Sequence, residues 1–380
     1  MPAKLKPLSE QVLVITGASS GIGLATARQA AKAGAAVVLV ARNEETLQSI
    51  ADELNAAGGR AHPVAADVGD PEAVERVARA AIARFGGFDT WVNVAGVAVY
   101  GDLDEVSLAD HEQLFRTNYF GVVHGSLEAV RHLKTKSGGG AIINIGSVLS
   151  DVATPLLGAY AASKHAVKGF TDALRTELVR DKAPISLTLI KPSSIATPFP
   201  EHARNYMDKA PRVPPPVYAP ELVADVILHA ASHPVRQMTV GSGGRQMALL
   251  GAATPRLADK VFALAIPKLS QRKGAKSAQD SLHEAGQDGQ VRTQAYGGRR
   301  FSLYTEAQRH PGLTLGLGAL ALIGAAAYFG RAPLARNARP MAARMVRPLV
   351  TRAALRRPLS AARLASRHPR EALRLARALR

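Results

Sequence analysis

The stretch QVLVITGASSGIGLATARQAAKAG, residues 11–34, decides the fold. It opens on a β-branched run, passes through Gly17, Gly21 and Gly23, and continues with apolar residues at helical spacing as far as Gly34. A short, almost wholly apolar run suits a strand covered on both faces, and a glycine closing a helical pattern suits a left-handed cap. The unit therefore reads as strand, glycine turn, helix. Similar apolar runs follow at AAVVLVA (35–41), AHPVAADV (61–68), DTWVNVAG (89–96), GAIINIGS (140–147) and PISLTLIKP (184–192), with RQMTVG (236–241) a seventh. Helical patterns such as PEAVERVARAAIARFG lie between them. This alternation predicts an α/β fold built on a doubly wound parallel sheet.

The glycines sit where a chain must turn tightly and where a pyrophosphate would approach backbone N–H groups at a helix N-terminus. Strand before and helix after make TGASSGIG (16–23) a dinucleotide site rather than a plain turn. Cofactor choice is expected to lie at the end of the second run. A protein selective for NAD places an acid there to accept from the ribose 2′-hydroxyl. Here the position is Ala41, followed by Arg42. A guanidinium pairs with a 2′-phosphate through fixed donors, so NADP(H) is the expected cofactor.

In GAYAASKHAV (158–167), Tyr160 stands four residues before Lys164, and residues four apart share a helix face. An ammonium about 4 Å from the phenol oxygen is worth up to about 4 kcal/mol at an effective dielectric of 20. At about 1.4 kcal/mol per pKa unit, Lys164 is expected to lower the Tyr160 pKa by a few units, towards the range that acid–base catalysis favours.

The spacing G-x-x-x-G-x-G, joined to Tyr160 and Lys164, resembles the short-chain dehydrogenase/reductase family over about residues 8–245. NVAG (93–96) is similar to the family's N-N-A-G with valine in second place, TNYFG carries its asparagine as Asn118, and Ser147 precedes Tyr160 by 13 residues. PSSIAT (192–197) is similar to P-G-x-x-x-T with Ser193 in place of glycine. The resemblance implies a Rossmann-like domain with Asn118, Ser147, Tyr160 and Lys164 as the catalytic set. Tyr160 would protonate a carbonyl oxygen, Ser147 would orient it, Lys164 would hold the nicotinamide ribose and Asn118 would support a water path. It further implies cofactor contacts from Gly17, Ser19, Ser20, Gly21, Ile22, Gly23, Arg42, Asp67, Val68, Asn93, Ala95, Gly96, Tyr160, Lys164, Pro192, Ile195 and Thr197. The substrate would be a small carbonyl or alcohol, lipophilic if the apolar residues near 199–218 face it. A catalytically silent scaffold of the same fold is the alternative, and the intact catalytic set argues against it.

The 380 residues contain no cysteine, which excludes disulfides and thiolate metal sites. His229 and His233 share a helical face without an acid at metal-site spacing, so no metal is expected. No apolar segment precedes the first run, so no signal peptide is expected. The net charge of +18 is uneven: residues 331–380 hold 14 arginines, no lysine and one acid, Glu371. Four parts are expected: a catalytic domain over 1–267, a polar, glycine-rich flexible linker over 268–310, an uncharged hydrophobic segment over 311–330, and the arginine tail. Seven prolines within 198–220 read as a loop over the site.

The uncharged segment has about the length of a membrane span, or it is a helix buried against the enzyme. The tail suits an anionic lipid surface, and 331–380 has no aromatic for base stacking, which argues against nucleic acid. A membrane-attached protein with its catalytic domain in the cytoplasm is expected, held by a re-entrant or monotopic anchor with the tail on the cytosolic face, with a spanning helix and an exported tail as second topology and a wholly cytoplasmic chain as alternative. GLTLG (312–316) hints at homo-oligomers.

Overall fold

Period-two alternation along the apolar runs sends successive side chains to opposite faces, and both faces are filled. On β1 (Val12–Thr16) Leu13 and Ile15 enter one core cluster while Val14 enters the other; on β2 (Ala36–Ala41) Val37 and Leu39 part from Val38 and Val40 in the same way. The remaining strands of the sheet are β3 (Arg60–Ala65), β4 (Thr90–Asn93), β5 (Gly140–Ile145), β6 (Ile185–Pro192) and β7 (Gln237–Val240). They form one parallel seven-stranded sheet in the order β7-β6-β5-β4-β1-β2-β3. The computed structural model describes residues 3–274, 280–286, 289–310, 312 and 314.

Helices α1 (Gly21–Lys32) and α2 (Glu44–Ala56) bury Leu24, Ala27 and Leu47 on the first face, together with Val223 and Ile227 of α7 (Pro220–Ser232). Helix α3 (Pro71–Phe85) covers the second face with Val74 and Val77. It is joined there by α5 (Gly121–Thr135) through Leu133 and by α6 (Gly158–Arg180) through Leu174 and Leu178. Between α3 and α5 lies the short α4 (Leu108–Phe115), which runs into a π-turn over Arg116–Phe120. This is the doubly wound α/β fold expected from the runs.

Chain contacts divide the molecule into Met1–Arg309 and His310–Arg380. The first unit corrects the expectation of a linker. After α8 (Ser242–Ala253) and α9 (Pro255–Leu269), Gln271–Arg272 pairs antiparallel with Ala210–Pro211 of the proline-rich loop. Leu282 is fully buried, and Thr293, Ser302 and Thr305 are buried too. Helix α10 (Leu303–Arg309) lies by β7, where Gln308 accepts from Thr239 N–H (3.0 Å) and donates to the Thr239 carbonyl (2.9 Å). The glutamine amide thereby does for the open strand edge what another strand would. Composition misled because polar, glycine-rich segments serve equally as linkers and as straps held by backbone hydrogen bonds.

The hydrophobic segment 311–330 and the arginine tail lie outside the described residues, apart from positions 312 and 314. Among the described residues no helix is long and apolar enough to cross a membrane.

Replacing Gln308 by alanine leaves both Thr239 backbone groups without that partner. Denaturant unfolding should show a loss of about 1–3 kcal/mol. An unchanged midpoint would restore the linker reading.

Candidate active site

The chain turns back at β1 and β4, neighbours in the sheet whose connections lead to opposite flanks, and a crevice opens at their carboxyl ends. Four loops meet there: 17–23, 93–97, 145–147 and 192–197. Gly17 lies at φ +66°, and a Cβ on it would stand 2.8 Å from Ala95 Cα; a Cβ on Gly23 would stand 2.0 Å from the Gly17 carbonyl oxygen. Only glycine permits this contact of turn, helix and neighbouring loop. Thr16, unremarked in the sequence, fixes the same junction, because its Oγ1 accepts from the N–H groups of Val94 (3.0 Å) and Ala95 (3.1 Å). Ser20 stands at the N-cap of α1 without a side-chain cap bond.

One cavity runs through the crevice. Of the residues proposed for the cofactor, Gly17, Ser19, Ser20, Gly21, Ile22, Gly23, Arg42, Asp67, Val68, Ala95, Gly96, Pro192, Ile195 and Thr197 line it, as do Ser147, Tyr160 and Lys164. Two predicted residues do not. Asn93 is buried with its side chain in a polar network: its Oδ1 accepts from Trp91 Nε1 (2.9 Å), and its Nδ2 donates to Asn144 Oδ1 (2.8 Å). It therefore ties β4 to β5 rather than facing a ligand. Asn118, in the π-turn, is also turned away: its Oδ1 accepts from Val97 N–H (2.8 Å), and its Nδ2 donates to the Val97 carbonyl (3.0 Å) and Ser163 Oγ (3.1 Å). Its side chain clamps the 97 loop.

Tyr160, Ser147 and Lys164 converge. Ser147 hydrogen-bonds the phenol and receives the Leu149 N–H (3.1 Å). Lys164 Nζ donates to the Ile145 carbonyl (3.0 Å) and lies 5.6 Å from the centroid of the Tyr160 ring. The ammonium is thus set over the ring and bonded to a carbonyl. The expected acidification of Tyr160 is reversed. The accessible part of Tyr160 faces the cavity, and the protein packed around it disfavours phenolate, pushing the phenol up to about 12, with the Ser147 hydrogen bond acting in the opposite sense. Burial also pulls Lys164 down to about 8. The site holds a protonated phenol at neutral pH.

At the far end of the cavity, Arg42 donates to the backbone carbonyls of Ser281, Leu282 (3.4 Å), His283 (3.3 Å) and Glu284 (2.9 Å). Four neutral acceptors orient the guanidinium without cancelling its charge. Asp67 Oδ1 accepts from Gly69 N–H (2.8 Å), the bond of a strand-end turn, while the residue also lines the cavity. The other half is apolar. Phe199 packs edge-on to Tyr160 with centroids 5.7 Å apart, and Tyr100, Leu149, Met247 and Ile266 add to the wall. Phe199 belongs to the loop read as covering the site; Met247 and Ile266 come from α8 and α9, which no sequence signal tied to the crevice.

With fold and site in view, the comparisons are consistent. Residues 11–207 match the short chain dehydrogenase family, and the chain belongs to that family. It is an oxidoreductase of this type. An uncharacterized oxidoreductase of Bacillus subtilis (strain 168), YxnA, is 45% identical over 312 residues, 81% of this chain and 88% of its own length. A fatty acyl-CoA reductase of Acinetobacter baylyi (strain ATCC 33305 / BD413 / ADP1) is 34% identical over 224 residues, 58% of this chain and 72% of its own. Among solved structures, a short chain dehydrogenase/reductase from Burkholderia phymatum in complex with NAD superposes with TM-score 0.60 at 27% identity, over 67% of this chain and 96% of that one. An alcohol dehydrogenase from Thermococcus sibiricus complexed with 5-hydroxy-NADP gives TM-score 0.52 at 27% identity, over 60% and 95%.

The buried lysine leaves a mark on stability. The unfolded chain holds the Lys164 proton up to about the ordinary 10.5, whereas the folded chain releases it near 8. Between these values the unfolded state binds more protons, so Lys164 makes stability rise with pH. Tyr160 acts in the opposite sense from about pH 10 to 12. Unfolding curves between pH 8 and 10 should show a rise that Lys164→Met removes; an identical rise in the variant would contradict the buried ammonium.

Proposed function

We propose that the protein is an NADP(H)-dependent oxidoreductase that moves hydride between nicotinamide and a lipophilic carbonyl or secondary alcohol at a membrane surface. One observation carries the reading: the protonated Tyr160 phenol stands where a glycine-lined half of the cavity meets an apolar half. The glycine half fits a dinucleotide, since Cβ atoms would fill the cradle at Gly17 and Gly23. Gly17–Gly23, Ala95, Gly96, Ile195 and Thr197 would hold it there. Arg42, charged and without an acid at Ala41, supports the choice of a 2′-phosphate, for which its terminal N–H groups would exchange the carbonyls of residues 281–284.

Bound NADPH would supply hydride. Tyr160 gives its proton to the carbonyl oxygen, which Ser147 orients by hydrogen bonding. As negative charge grows on the phenol oxygen, the Lys164 ammonium on the ring face stabilises it, an interaction stronger in the transition state than in the ground state. In the oxidative direction the same phenol must first be deprotonated, which its raised pKa opposes at neutral pH.

The apolar wall of Phe199, Met247 and Ile266 supports a lipophilic substrate, and the fatty acyl-CoA reductase relative is consistent with one. A membrane surface is supported by the outward faces of α8 and α9, whose inward faces supply Met247 and Ile266. Leu249, Leu257, Val261 and Leu264 are exposed there, among exposed Arg245, Arg256, Lys260 and Lys268. An apolar ridge set among basic side chains complements an anionic bilayer.

Tyr160→Phe should abolish NADPH-dependent reduction across a panel of long-chain aldehydes and ketones while NADPH affinity stays within about threefold, because the phenol acts mainly in the transition state. Wild-type-like turnover would overturn the assignment. For the surface, Leu257→Asp with Leu264→Asp in the full chain should raise KM at least about tenfold for an aldehyde carried in anionic vesicles, since apolar insertion drives such docking. KM for a short soluble aldehyde should not change. Equal KM values for the vesicle-borne aldehyde would reject docking through this face.

A further inference from the structure

The segment that follows α9 crosses the cofactor half of the crevice from outside. Ser281, Ala285 and Gly286 line the same cavity as the glycine loop. Four consecutive carbonyls of this segment, 281–284, converge on Arg42, and Asn43 Nδ2 donates to the Gly286 carbonyl (3.4 Å). Further on, Gly289 N–H donates to the Ser19 carbonyl (2.8 Å), and Gly21 N–H, at the start of α1, donates to the Gln290 carbonyl (2.9 Å). Residues 280–286 and 289–290 thus bridge from the end of β2 to the phosphate cradle. A dinucleotide lying on Gly17–Gly23 and Arg42 would be roofed by them.

Two further fastenings hold the roof. Leu282 is fully buried in a cluster with Val97, Val106 and Leu114 that also receives the Tyr160 ring. Beside it, His283 Nε2 lies 2.7 Å from Asp110 Oδ1. The Asp110 carboxylate is buried on α4 and also accepts from Tyr206 OH (2.7 Å) and pairs with Arg204 Nε (3.2 Å). Arg204 reaches on to Asp280 (3.0 Å), whose other oxygen accepts from Leu282 N–H (3.0 Å). His283 and Arg204, in contrast to Leu282 and Asp110, are about half exposed. The roof is therefore plugged by one apolar side chain and pinned by one buried carboxylate through partners that water reaches.

We propose that residues 280–286 and 289–290 form a latch over the adenosine half of the cofactor crevice, pinned by Asp110, which opens for the dinucleotide to enter or leave and closes over it when bound. The proposal rests on the reading of the crevice as a dinucleotide site, and not on which dinucleotide is preferred. Asp110 is a positioning residue: it acts on the cofactor through His283 and Arg204, and it does not line the cavity.

The test is stopped-flow association of NADPH, and separately NADH, with the full chain, followed by nicotinamide fluorescence. In the wild type the observed rate should level off at high dinucleotide concentration, since opening limits entry. The plateau should rise at least about tenfold in Asp110→Asn and in His283→Ala, the scale of losing a hydrogen bond to a charged group. The double variant should gain no more than Asp110→Asn alone, because the His283 side chain acts through Asp110. Single-turnover reduction at saturation should stay within about twofold, which separates release of a latch from general loosening of the fold. His283→Ala, at a half-exposed side chain, keeps the test available if Asp110→Asn does not fold. A wild-type rate that climbs linearly without a plateau, plateaus unchanged in both variants, or a gain seen with NADPH alone would overturn the latch. Failure of either dinucleotide to bind at all would instead overturn the reading of the crevice.

Discussion

The Tyr160 phenol and the Lys164 ammonium are packed side by side at the wall of the cavity, and that placement governs what the crevice can do. Each is driven towards its neutral form by the same packing, the phenol upward and the ammonium downward in pKa. The result is a proton donor that keeps its proton through neutral pH, beside a cation whose charge has few competitors. Lys164 donates to the Ile145 carbonyl at 3.0 Å, which holds the ammonium over the ring of the protonated phenol.

The sheet makes this placement possible. Ile145 ends β5, Ser147 follows it, and α6 returns over the same edge to bring Tyr160 and Lys164 against them. The end of β5 is in turn set by Asn144, which accepts from Asn93 and Ser126 and donates to Thr171 of α6. That buried network joins β4, α5, β5 and α6. Satisfied polar networks of this kind fix one arrangement where an apolar core would tolerate several. The amide of Asn93 is spent on tying β4 to β5 and that of Asn118 on holding the 97 loop.

Much of this was legible in the chain. The seven apolar runs became the seven strands, because a strand covered on both sides must be apolar nearly throughout. The glycine turn was readable because tight turn and close approach leave no room for Cβ at Gly17 and Gly23. What could not be read was direction and environment. Asn93 ends its strand, and spacing alone does not say whether its side chain turns to the cavity or to the network. The four-residue spacing of Tyr160 and Lys164 put them on one face but said nothing of the Ile145 carbonyl that accepts from the ammonium, or of the packing that shifts both groups. Residues 280–286 and 289–293 resemble a linker in composition because much of their hold on the enzyme is made by backbone carbonyls and N–H groups, which composition does not reveal. Leu282 and Val291 are apolar anchors too sparse to register as a pattern.

The crevice is thus a surface on which the glycine loop, the phenol and apolar side chains meet. The most direct measurement follows an isotope through it. The full chain is incubated with NADPH bearing deuterium at the transferable nicotinamide position and with a long-chain aldehyde, and the products are read by mass spectrometry. The account predicts one deuterium on the carbinol carbon of the alcohol, with the hydroxyl proton drawn from solvent. Alcohol formed without that label, or label retained in the dinucleotide with the aldehyde unchanged, would contradict it.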